Sequence, residues 1–258
     1  YNYVSIETEE EFYYLKNVPH GTVRQEYFYS DITGEWERCF VYTPVEYEEC
    51  PEKRYPVLYL QHGHGENETG WIEEGKVHFI MDNLIQAKEA KPFIIVMNNG
   101  MVQTKNAEGK RIVDHTIFPE YLIKDVIPYI EKKYRTIKNK DSRAMAGLSM
   151  RSIQTSITAF EYPEYFSYIG LFSGFLRDFI QGDKIMDMVQ RGKASDKHLR
   201  ILDSKETFKN NLKIFFRAMG ENDIFIQKFL EEDELLSKKD ISCIRIIYEG
   251  GHDWNVWR

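Results

Sequence analysis

The sequence predicts an α/β protein: a mostly parallel central sheet with helices on both faces, preceded by an N-terminal β-hairpin. Three observations carry this. Short continuous apolar runs alternate with longer segments of helical periodicity, the pattern of strands buried on both sides. Two β-rich runs separated by a turn-like spacer stand ahead of that alternation. The 258 residues can bury one large core, and no linker, repeat or low-complexity stretch divides them, so residues 1–258 read as a single domain.

The elements follow in order. Residues 23–29 and 35–42 form the hairpin, joined by Ser30-Asp31-Ile32-Thr33-Gly34. After the polar stretch 46–54, residues 55–60 and 93–97 are buried strands, and residues 77–87 between them carry apolar side chains at helical spacing. Residues 121–134 make a helix with Leu122, Val126, Ile127 and Ile130 as its stripe and Pro119 near its first turn. Then come strand 143–146, helix 150–160, strand 168–172, strand 212–218, helix 225–236 and strand 243–248. Residues 175–209 break the rhythm. They are long for a connector, contain a helical piece at 179–190, and are expected to be an insertion over the sheet edge and the site.

Bulk properties remove several classes of function. The net charge is −7 with no basic block able to track a phosphate backbone, which excludes nucleic acid as a partner. No apolar run approaches the length needed to span a bilayer, and no signal-like segment opens the chain, so no membrane partner is expected. Tyr1 in place of an initiator Met leaves room for an upstream leader or domain. Cys39, Cys50 and Cys243 are too few for a disulfide scaffold, and their odd number leaves one unpaired within a monomer.

The chemistry is expected where strands end, because open parallel sheets gather functional groups at their carboxyl edge. Residues 144–151, Ala-Met-Ala-Gly-Leu-Ser-Met-Arg, read as a buried strand turning abruptly into a helix with Ser149 at the turn, the setting of a nucleophile elbow. Three further strand ends carry Gln61-His62-Gly63-His64-Gly65, Gly220-Glu221-Asn222-Asp223 and Gly250-Gly251-His252. Each has an ordinary explanation taken alone. Serine caps helices, Gly, Asn and Asp populate turns, and His62 and His64 lack the further ligands that a metal site needs. Together, serine, acid and histidine appear in the chain order of an α/β-hydrolase triad. A serine hydroxyl needs a base within hydrogen-bond reach, which His252 supplies. A carboxylate must orient that imidazole; Asp223 is best placed and Glu221 is its rival. The oxyanion needs backbone N–H donors, expected from Met150 and from His64 or Gly65.

These same residues resemble a known group. Residues 59–65 with Trp71, then 94–100, 127–136 and 143–150, are similar to the esterase D-like branch of α/β-hydrolases. The closing Gly250-Gly251-His252-Asp253-Trp254 with Trp257 resembles the feruloyl esterases of carbohydrate esterase family 1, and the similarity runs from about Glu35 to the end. The resemblance implies a serine carboxylesterase that releases ferulic and p-coumaric acid from feruloylated arabinoxylan of plant cell walls. By motif position, it implies Ser149 as nucleophile, Asp223 as acid and His252 as base, with no cofactor and no metal. It also implies secretion, a feruloylated xylan or oligosaccharide as substrate, and room for an attached carbohydrate-binding or docking domain outside this chain. The branch includes acetylxylan and other small-acyl esterases, the alternative among enzymes. A carbohydrate-binding protein on an inactivated hydrolase scaffold is the alternative outside them.

A flat aromatic acyl group and a sugar both suit aromatic side chains, and Trp71, Trp254 and Trp257 lie beside the proposed catalytic segments. They are the candidate substrate-binding residues, with packing of the sheet edge as the competing role. Phe175, Leu176, Phe179 and Ile180 are candidates for a pocket wall or lid. One departure stands out: where the family has glycine two residues after the nucleophile, this chain has Arg151. The expectation is a tolerated variant whose long stem lies along the surface, against an arginine that shapes the pocket or an elbow loosened enough to cost rate.

Overall fold

A computed structural model describes residues 12–174, 176 and 201–258. Its strands are β1 (Thr22–Ser30), β2 (Glu35–Thr43), β3 (Val57–Gln61), β4 (Ile94–Asn98), β5 (Gln103–Lys105), β6 (Arg111–Val113), β7 (Arg143–Leu148), β8 (Tyr168–Phe172), β9 (Ile214–Gly220) and β10 (Ile244–Tyr248). Eight of them form one sheet in the order β1-β2-β4-β3-β7-β8-β9-β10. Strand β2 runs antiparallel to both β1 and β4, and the other pairings are parallel. This is the sheet of an α/β-hydrolase, with the predicted hairpin at one edge.

Helices α1 (Glu46–Glu49), α2 (Gly70–Glu73), α3 (Val77–Gln86), α4 (Phe118–Tyr121), α5 (Ile127–Lys133), α6 (Met150–Glu161), α7 (Lys205–Asn211) and α8 (Ile226–Lys238) lie between strands, and α9 (Trp254–Trp257) follows β10. The central strands send alternate residues to two cores. Val57, Tyr59, Ile94 and Val96 join Leu122, Val126 and Ile130 on one side. Leu60, Ile95, Met97 and Leu148 join Trp71, Met81 and Trp257 on the other. Both faces are thus apolar, which is why these strands read as continuous hydrophobic runs.

The helix expected at 121–134 begins earlier and is not uniform. A π-helical turn at Leu122–Val126 joins α4 to α5. Pro128 follows it in the first turn of α5, and a proline has no N–H for the carbonyl four residues back, so a regular helix could not run through it unbroken. Asp125 in the widened turn accepts hydrogen bonds from Ser30 Oγ at 2.5 Å and Ile32 N at 3.1 Å, tying the helix to the hairpin loop. The β5–β6 hairpin and the four-residue helices escape the sequence reading. Gln-Thr-Lys and Arg-Ile-Val carry too little apolar pattern, and one helical turn is too short to show periodicity.

Most of the expected insertion, including Phe175, Phe179, Ile180 and the helical piece at 179–190, lies outside the described residues. Its described parts belong to the main core rather than to a pocket wall. Leu176, Ile201, Leu202 and Phe208 are buried in the cluster that covers one sheet face, and Ser204 caps α7 by accepting the Thr207 N–H at 3.1 Å.

Candidate active site

Strand β7 ends at Leu148 and α6 begins at Met150, so Ser149 alone makes the turn. Its φ of 54° and ψ of −126° are strained for a residue with a Cβ. The surroundings hold it there: Ser149 N donates to Phe172 O at 2.8 Å, and Ser149 O accepts from Ser152 N at 3.0 Å and Ser152 Oγ at 2.6 Å. Gly147 lets the helix come this close. A methyl group there would stand 2.6 Å from Arg151 O and 2.7 Å from Thr155 Oγ1.

The ends of β9 and β10 supply the partners. His252 Nε2 lies 2.9 Å from Ser149 Oγ, and His252 Nδ1 lies 2.8 Å from Asp223 Oδ2. A carboxylate beside Nδ1 assigns the proton to that nitrogen, which leaves Nε2 to accept from the serine hydroxyl. The Asp223 side chain is fully buried, and Phe225 N donates to its Oδ1 at 2.9 Å. Burial acts to raise the Asp223 pKa. The hydrogen bonds from His252 and the Phe225 amide outweigh it, so the carboxyl titrates below its ordinary value and stays ionised beside the imidazole. Glu221, the rival acid, is exposed and accepts from Asn222 Nδ2 at 3.3 Å instead. The His252 ring sits edge-on to Phe225 and Trp257, with centroids 5.4 and 5.0 Å away.

The turn after β3 lies against the residue before the serine, since a methyl group on Gly63 would stand 2.5 Å from Leu148 Cδ1. His62 is buried, accepts the Gly100 N–H at Nε2 (3.0 Å), and meets Gly63 O at Nδ1 (2.8 Å). One nitrogen accepting and the other facing a carbonyl define a neutral imidazole with its proton on Nδ1. Burial, reinforced by the nearby Arg151 charge, pushes its pKa down to about 4. His62 is therefore a strut joining the β3 and β4 loops, a role the sequence does not distinguish from an incidental loop histidine. His64 and Gly65 are exposed at the tip of the turn, Gly65 with φ of 78°. Met150 is half-buried at the start of α6, where first-turn amides lack helical partners. Glu66 accepts Gly63 N at 2.8 Å, and burial raises its pKa.

The three tryptophans form one edge-to-face array that ends on the histidine. Trp71 and Trp254 centroids are 5.0 Å apart, and those of Trp254 and Trp257 are 5.3 Å apart. Trp71 is buried, with its indole N–H donated to Gln61 O at 2.9 Å, and Trp257 is also buried. Of the three, Trp254 alone offers a partly exposed ring. Packing of the histidine loop is what Trp71 and Trp257 do here.

Arg151 overturns its expectation. Its side chain is not on the surface: only 1% of the residue is exposed. The guanidinium reaches His115 Nδ1 at 3.2 Å and Met101 Sδ, and runs over the bare backbone of Gly100. Desolvation lowers its pKa to about 10, and His115 beside it is pushed down to about 4 by burial and by that charge. The arginine leaves inward along α6 and the elbow closes without a second glycine. Gly100, in the Asn-Asn-Gly loop after β4, was the available signal for this close approach.

Among the described residues, no group of three or more His, Cys, Asp or Glu side chains could hold a metal ion, and no helix is long and apolar enough to cross a membrane. The Esterase family model matches residues 30–258. Over 172 residues the chain is 43% identical to an endo-1,4-beta-xylanase/feruloyl esterase of Xylanibacter ruminicola, covering 64% of this chain and 23% of that protein. It thus spans about a quarter of that relative's length. A solved ferulic acid esterase superposes with a TM-score of 0.76 at 25% identity, covering 92% of this chain and 93% of its own. The CE1 ferulic acid esterase of Anaeromyces mucronatus in complex with ferulic acid shares the fold, with a TM-score of 0.76 at 23% identity over 98% of this chain and 94% of its own. With the family match running from the hairpin loop to the last residue, through the serine elbow, the acid loop and the histidine loop, this chain belongs to the Esterase family.

Proposed function

We propose that the chain is a serine carboxylesterase that releases hydroxycinnamic acids, ferulic and p-coumaric, from feruloylated arabinoxylan. The observation that carries the chemistry is the unbroken chain of contacts from Ser149 Oγ through His252 to Asp223, with the serine on a strained strand-to-helix turn. The feruloyl esterase named in its 43% identical relative supports the acyl group and the polymer.

Ser149 Oγ attacks the ester carbonyl carbon while its proton passes to His252 Nε2. The anion that forms on the carbonyl oxygen is received by the backbone N–H of Met150 and that of His64 or Gly65. Collapse breaks the bond to the sugar oxygen, which takes the proton from His252 and leaves a feruloyl ester on Ser149. Water, losing its proton to His252, attacks that ester; ferulate departs and Ser149 recovers its hydrogen. Asp223 keeps the imidazole in the productive tautomer and stabilises its charged form throughout. The chain's share of a longer xylanase/feruloyl esterase supports a setting in a larger enzyme with an attached glycanase part, and the polymeric plant cell-wall substrate proposed here implies secretion.

The test is release of ferulic acid from methyl ferulate and from feruloylated arabinoxylan by this chain and by Ser149→Ala. Release from both substrates that disappears in the variant is expected. Release of acetate from acetylated xylan without release of ferulate would assign the small-acyl reading instead.

A further inference from the structure

We propose that the outward face of the N-terminal hairpin is a second carbohydrate-binding surface, a stacking platform for the β-1,4-linked backbone of the polymer whose ester reaches Ser149. The polymer class rests on the function proposed above; the platform rests on the hairpin itself.

Strand alternation builds the surface. Glu26, Phe28 and Ser30 of β1 point inward and are buried, which turns Tyr27 and Tyr29 outward. The register sets Tyr29 opposite Trp36 and Tyr27 opposite Arg38. Three large rings result that water reaches freely: Tyr27 is 56% exposed, Tyr29 54% and Trp36 70%. Scattered exposed apolar residues are ordinary, but clustered aromatic ones mark a contact surface.

The rings are held in place rather than loose. Tyr29 and Trp36 meet edge-on at 6.0 Å, and the Tyr29 hydroxyl donates to Gly34 O at 3.0 Å. Gln25 Nε2 donates to the Tyr27 hydroxyl at 2.5 Å. Same-face positions along a strand recur about every 7 Å, so Tyr27 and Tyr29 are successive steps of one track. Rings with polar rims match a pyranose, which presents apolar C–H faces and a belt of hydroxyls.

The position links this face to the site. Strand β2 runs antiparallel to β4, with Cys39 opposite Asn98, the last residue of β4. Trp36 and Arg38 therefore lie beyond the carboxyl end of the parallel strands, the end that carries Ser149. Arg38 Nε bonds Glu68 Oε1 at 2.5 Å, in the loop that continues from the His62–Gly65 turn. Glu35 pairs with Lys105 and Arg111 of the β5–β6 hairpin at 3.4 and 3.5 Å. A polymer chain leaving the esterified sugar has this aromatic track beside it.

The test compares the parent with Tyr29→Ala/Trp36→Ala, both exposed positions. Affinity electrophoresis in arabinoxylan gels, run on both chains in a Ser149→Ala background, measures binding without turnover. At least fivefold weaker binding is expected. With Ser149 intact, kcat/KM on feruloylated arabinoxylan should fall severalfold through KM while methyl ferulate hydrolysis stays within twofold. Unchanged affinity for arabinoxylan overturns the proposal. So does a parent that sediments as a dimer and becomes monomeric in the variant with xylan binding intact, since the patch would then join two copies. A parent that binds arabinoxylan through these rings but releases no ferulate would refute the esterase reading and leave the platform standing.

Discussion

Gly100 lies so close against Arg151 that a methyl group on the glycine would stand 2.8 Å from the arginine Nε and 2.9 Å from its Cδ. Gly100 lies in the loop after β4 and Arg151 in the first turn of α6, and the two are one fitted pair. Gly100→Ala is expected to cost about 1–3 kcal/mol through overpacking. In an Arg151→Gly background the same change should cost at least about 1 kcal/mol less, because the clashing atoms are gone. Urea unfolding of the four proteins measures this, and strict additivity would refute the pairing. Because the elbow reaches φ of 54° with arginine in place, Arg151→Gly should alter stability more than kcat.

Asp223→Asn replaces the group that fixes the His252 tautomer. The loss in kcat is expected to approach about 10⁴, with near-native circular dichroism. Glu221→Gln, at the exposed carboxyl of the same loop, should leave kcat unchanged. A large loss in the second variant would reverse the assignment of the acid.

His62 is neutral in the folded protein and has its pKa held at about 4 by burial and by Arg151, whereas an unfolded chain would titrate it near 6.5. The unfolded state therefore binds the extra proton first as pH falls. Stability from this group is fully present above about pH 6.5 and drains away toward pH 4, by on the order of 3 kcal/mol if His62 acted alone. His78 and His115 are lowered in the same direction by burial. Unfolding free energies between pH 7 and 4.5 should fall steeply, and His62→Gln should flatten the curve. A parallel curve for the variant would show that other groups set the slope.

Arg217 on β9 is fully buried and pairs with Glu232 and Asp233 of α8, with its guanidinium over the Phe229 ring at 4.2 Å. Arg217→Met leaves the Glu232 carboxyl, also fully buried, without its counter-charge, and should cost about 3–5 kcal/mol. Arg217→Met/Glu232→Leu should recover much of that loss. Thermal unfolding distinguishes the two, and an equally unstable double variant would mean that Arg217 acts through packing alone.

The strands and principal helices were legible in the sequence because burial on both faces writes a continuous apolar run and amphipathic helices write a 3.6-residue period. Ser149, Asp223 and His252 were legible for a related reason: a parallel sheet delivers all of its strand ends to one edge, so chain order and strand position predict proximity. The sequence favoured Asp223 over Glu221, and the coordinates add that Asp223 is buried against His252 while Glu221, two residues earlier in the loop, faces solvent. Coordinates also reassigned Arg151 from surface to interior, because what admits its side chain is the bare backbone of Gly100, 51 positions away in sequence and adjacent only after β4 and β7 are laid into one sheet. The same holds for Trp71 and Trp257, whose residue type suits a sugar platform equally well but whose rings the histidine loop buries. Local pattern thus determined which elements form and which chemistry-bearing groups share an edge. Contacts between residues far apart in the chain decided which of those groups face each other, because burial is a property of the assembled sheet.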